Sequence, residues 1–168
     1  LPAGAEGDDV KLVVSDEATQ VKVEVNIVFR GTVLPLESRP LVASAQELFT
    51  TDLAVPVLAK AELYGSKLVA AMDRQHPRDI FDVMHMLDHF GWQAGIVDCF
   101  VAYLAGHNRP VHEVLFPKAK ALEPAFTNEF SGMTRNVIEL DTLAHVQARL
   151  LEELPRQLSA AHREFLLT

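Results

Sequence analysis

The chain has 168 residues, 49% of them hydrophobic, and a formal charge of −8 from 23 acidic against 15 basic side chains. That is enough apolar material for the core of one globular domain, or one with a small subdomain, and it excludes a disordered tail. The acidic balance excludes a surface that coats nucleic acid generally and leaves only a local basic pocket for a polyanion. The single cysteine, Cys99, excludes an intrachain disulfide and a cysteine-based zinc cluster, and it points to a reducing, cytoplasmic setting. No apolar run approaches the roughly 20 residues that span a bilayer, and no signal segment opens the chain, so no membrane partner is expected. The first residue is Leu1 and not methionine, as in a cut or processed piece.

The opening LPAGAEGDD is small, polar and turn-forming and reads as a loose lead-in. Strands are expected at residues 11–15 and 21–29. In the second, Val21, Val23, Val25 and Ile27 fall on one face and Lys22, Glu24 and Asn26 on the other, the period-two pattern of a half-buried strand. Gly31 permits a turn, and residues 32–37 are expected to return as a third strand up to Pro40. Beyond Pro40 alanine, leucine and helical spacing take over. Helices are expected at residues 57–73, with Gly65 as a sign of close packing, and at 77–90, with Pro77 in the first turn and Gly91 at the end. Further helices are expected at 93–105, 110–121, 124–130, 141–154, where Pro155 interrupts, and 159–167. The fold class is therefore α+β: a small antiparallel or mixed β segment over residues 1–42, then a helical lobe over 43–168.

Charge gathers in the segment LYGSKLVAAMDRQHPRDIFDV at residues 63–83. Lys67, Ala70, Ala71 and Arg74 share one face of the first long helix, and Asp79, Asp82, His85 and His89 share one face of the next, opposite Ile80, Val83, Met84 and Leu87. Two readings stay open. In one the stripe is a solvated face, with Asp79 placed by the helix dipole, Arg78 paired with Asp82 at i,i+4 and the Lys67 stem lying on apolar surface. In the other it lines a cleft. His85 and His89 have metal-ligand spacing, but Met86 stands where a zincin needs glutamate. Cys99, inside IVDCFVAYL, reads as core. Glu24 is either solvent-facing or a metal ligand on a rigid strand. Neither a Gly-rich phosphate loop nor a nucleophile elbow occurs.

The block YGSKLVAAMDRQHPRDIFDV, a lysine on one helix followed by RDxxD opening the next, resembles the signature of the AbiEii-type nucleotidyltransferase toxins of abortive-infection and type IV toxin–antitoxin systems. FSGMT, the Leu143–Leu154 stripe and HREFLL also resemble the tail of that family, so the likeness spans most of residues 21–168. The resemblance implies that the β segment is a remnant of a polymerase-β-like nucleotidyltransferase sheet and the helices its C-terminal lobe. It implies Lys67 at the triphosphate, with Asp79 or Asp82 as the functional aspartate and Arg74 and Arg78 supporting phosphate. Glu24 would be a metal carboxylate. It further implies Mg2+ or another divalent cation, an NTP, a tRNA acceptor and a cognate antitoxin.

The chain departs from that family's pattern in one respect. The Gly-Ser turn and Asp-x-Asp strand that carry its metal are absent, and adjacent Asp8 and Asp9 would point to opposite faces of a strand. The chain alone is thus expected to be inactive, as part of a longer enzyme. The alternative is a non-catalytic helical module that binds a partner or regulates.

Overall fold

The computed structural model describes residues 10–25, 31–49, 51 and 53–168. The contacts divide the chain into two compact units, Leu1–Gly31 and Thr32–Thr168. In the first, β1 (Val10–Ser15) and β2 (Gln20–Val25) form an antiparallel hairpin in which Leu12 faces Val23 and Val14 faces Val21. Asp16 closes its turn by accepting from the Ala18 and Thr19 amides, and these bonds hold its carboxyl below the usual pKa. The strand expected to continue to residue 29 lies, beyond residue 25, outside the described residues.

In the second unit, β3 (Glu37–Pro40) precedes α1 (Ala43–Phe49), and β4 (Ala54–Val57) returns antiparallel to β3. The third strand thus comes later than residues 32–37. Residues 33–34 are drawn off into bonds with a buried side chain, and the ladder begins where a partner strand exists. The helices α2 (Lys60–Arg74), α3 (Pro77–Phe90), α4 (Ala94–Ala105), α5 (Val111–Leu115), α6 (Glu123–Glu129), α7 (Leu140–Gln157) and α8 (Ala160–Leu167) follow. This is an α+β chain in which, among the described residues, every helix but α1 follows the last strand.

The core is built from Leu68 and Met72 of α2, Ile80, Val83 and Met86 of α3, Ile96, Phe100 and Leu104 of α4, and Leu143, Leu150 and Leu154 of α7. Met86, rather than Met84, completes the buried stripe of α3. Gly65 lets α2 and α4 touch: a Cβ there would lie 2.6 Å from Cys99 Cβ and 2.7 Å from the Phe100 nitrogen. Cys99 is buried, as core, and burial raises its thiol pKa.

Two helix ends differ from the sequence expectation. Pro155 does not interrupt α7, which runs on to Gln157: its missing N–H removes one backbone bond, and only two helical residues follow it. The helix from Pro110 stops at Leu115. Residues 118–120 instead bond side chains from other helices: the Lys118 carbonyl and Lys120 amide are taken by Gln75, and the Lys120 carbonyl by Gln147.

Candidate functional site

The α2–α3 connection is two residues long. Gln75 closes α2 in the left-handed region (φ 52°), with its amide bonded to the Ala71 carbonyl, and His76 then caps α3 by accepting the Arg78 amide. Pro77 occupies the first turn of α3, where its missing N–H costs nothing. So short a turn folds the helices back on each other, and residues at matched distances from it meet.

Lys67 Nζ lies 2.5 Å from Asp82 Oδ2, both side chains about one-third exposed. Nearer the turn Arg74 grips Asp79 with two bonds, Nη2 to Oδ1 at 2.7 Å and Nε to Oδ2 at 3.1 Å. The expected i,i+4 pair of Arg78 with Asp82 does not form. Asp82 takes Lys67, and Arg78 turns to Glu129 of α6 at 3.8 Å, beside His76 Nε2 at 3.2 Å from the same carboxylate. The His85 and His89 rings lie tilted at 38° with centroids 5.7 Å apart, and His89 Nδ1 meets the His85 carbonyl. No group of three or more His, Cys, Asp or Glu that could hold a metal occurs among the described residues. Glu24 stands in β2 opposite Lys11 in register, and its side chain lies outside the described residues.

The arrangement is a pair of cation–carboxylate clamps along one seam. Each cation is held in place yet reachable from solvent, so a phosphate oxygen can approach the ammonium or guanidinium without paying to order it. A separate groove of about 780 Å³, lined by Val111, Leu115, Phe116, Leu151, Leu158 and Leu166 among others, contains none of these residues.

The residue types alone did not reveal Glu62, which is fully buried. Its carboxylate accepts from the Val33 and Leu34 amides and from the Tyr103 hydroxyl. Burial raises its pKa, but the two amides and the hydroxyl outweigh that and hold it below the usual carboxylate value. A signal was present: Glu62, Gly65, Val69 and Met72 share the buried phase of α2, and a carboxylate on such a stripe asks for buried donors.

Residues 2–165 match the family described as nucleotidyl transferase AbiEii toxin, type IV TA system. The chain belongs to the AbiEii toxin family. Comparison with curated proteins and with solved structures returned no match. The family is a nucleotidyltransferase family of toxin–antitoxin systems, which carries with it a nucleotide and an antitoxin as partners. Within this AbiEii chain the Lys67–Asp82 and Arg74–Asp79 pairs lie in the segment 63–83. No helix among the described residues is long and apolar enough to cross a membrane.

Proposed function

We propose that the α2–α3 seam is the nucleotide side of an AbiEii active site, in a cytoplasmic enzyme that transfers a nucleotide from an NTP to tRNA. The observation that carries this reading is the 2.5 Å Lys67–Asp82 pair, which presents a part-exposed ammonium in a fixed position. In nucleotidyl transfer an acceptor hydroxyl attacks the α-phosphorus and pyrophosphate leaves, so negative charge grows on the leaving group. Lys67 meets that charge, and Asp82 keeps the lysine oriented. Arg74, aligned by Asp79, and Arg78 add phosphate contacts.

A divalent metal, when bound, supplies charge neutralisation and hydroxyl activation. The described residues do not fit a metal centre by themselves, since no three ligand side chains meet. Nor does the sequence contain an Asp-x-Asp pair. The missing Asp-x-Asp pair supports a chain that does not turn nucleotide over by itself, and Glu24 is proposed as a metal carboxylate of the complete enzyme. It also favours the second reading, a partner-binding module that keeps the scaffold.

The decisive experiment titrates each of the four ribonucleoside triphosphates, with Mg2+, into the wild-type chain and into Lys67→Ala. Binding by the wild type, weakened about tenfold or more in the variant, supports the nucleotide site. Equal affinity for both proteins overturns it, and no binding by either leaves the module as the better account. Transfer of labelled nucleotide to tRNA by the chain alone would overturn the proposed inactivity.

A further inference from the structure

Glu62 is the only charged side chain in the core among the described residues. An apolar side chain of similar volume would often serve stability as well or better than a buried carboxylate. What burial of leucine or valine does not supply is a directional bond: the hydrophobic effect has no preferred line, while a hydrogen bond fixes an atom on one.

Glu62 has three such lines. Its Oε1 accepts the Val33 amide at 2.7 Å and the Tyr103 hydroxyl of α4 at 2.8 Å, and its Oε2 accepts the Leu34 amide at 2.9 Å. One helical turn on, Gly65 brings α2 against the α4 backbone, with no side chain of its own to set the angle about that contact. Lys67 lies five positions beyond Glu62, about 140° around the same helix at 3.6 residues per turn. A 20° rotation of α2 would carry a side chain about 6 Å from the axis through about 2 Å. That displacement separates the Lys67–Asp82 pair.

We infer that Glu62 is a positioning residue: bonded to Tyr103 and to the 33–34 amides, it sets the rotation of α2 and so holds Lys67 against Asp82. Its consequence for nucleotide binding rests on the reading of Lys67 given above, whereas the positioning itself does not.

The test uses the full 168-residue chain with isotope-labelled lysine. The NMR signal of the Lys67 side chain is assigned from Lys67→Arg, and Asp82→Asn supplies its position when unpaired. In Glu62→Gln and Tyr103→Phe the Lys67 signal is expected to move at least halfway to the Asp82→Asn position, with cooperative melting retained. An unmoved Lys67 signal in folded Glu62→Gln and Tyr103→Phe overturns the inference. Should Glu62→Gln not fold, Tyr103→Phe decides alone, since it keeps the carboxylate and both amide bonds. In the nucleotide arm Glu62→Gln weakens the best-bound triphosphate about tenfold, and in a Lys67→Ala background it has no further effect. A purely structural Glu62 would weaken both backgrounds alike and overturns the inference. Failure of the wild type to bind any triphosphate defeats the proposed function only, and the Lys67 signal still decides the positioning.

Discussion

Lys67 and Asp82 illustrate how little an exposed pair adds to stability and how much it adds to geometry. At one-third exposure the pair contributes about 0–1 kcal/mol. Asp82→Asn is therefore expected to leave the urea midpoint nearly unchanged while nucleotide affinity falls, a split that parallel denaturation and binding titrations would reveal. Glu62 behaves in the opposite way. Its folded-state pKa lies below the unfolded value, so its stabilisation is complete above about pH 4.3 and drains away as pH falls through the folded value. Urea midpoints followed from pH 6 downward should drop in the wild type, and drop less in Glu62→Gln. Burial, then the bond to Glu62, pushes the Tyr103 phenol up to about 12. In Tyr64→Phe, which leaves Tyr103 as the one tyrosine, phenolate absorbance should rise with a midpoint near that value, and adding Glu62→Gln should lower it only in part, since burial remains.

At the scale of elements, α2 is held at its middle by contact and at its end by a polar network. Gly65→Ala forces a Cβ against the α4 backbone and is expected to cost about 1–3 kcal/mol, read as a lower denaturant midpoint. At the C-terminus the Gln75 side chain bonds the Lys118 carbonyl, the Lys120 amide and the Gln147 amide, joining α2, the 116–122 loop and α7. Gln75→Ala removes these three bonds, although Gln147 keeps the Lys120 carbonyl, and should cost about 1–3 kcal/mol, read as a lower denaturant midpoint. α3 and α4 were legible to within a residue or so from Pro77, Gly91 and the apolar spacing, since these helices end on local signals. β4 was not, because AVPV has no alternation of its own and becomes a strand only against β3. The early end of α5 was equally hidden, as its cause lies in Gln75 and Gln147, far along the chain.

For the molecule as a whole, the buried apolar cluster runs from Leu68 to Leu158, within the second unit. A two-stranded hairpin contributes little stability of its own. Deleting residues 1–31 is thus expected to leave helical content and a cooperative thermal transition, measured by circular dichroism, close to those of the full chain. By itself the sequence determined the class, the placing of strands before the long helices, the family and the concentration of charge in residues 63–83, because periodicity, caps and a contiguous motif are local properties. Tertiary structure alone decided which cation meets which carboxylate: Lys67 with Asp82, Arg74 with Asp79 and Arg78 with Glu129. It alone placed Glu62 in the core with its donors, since partners 28, 29 and 41 residues apart are chosen by how the chain packs and leave no local trace.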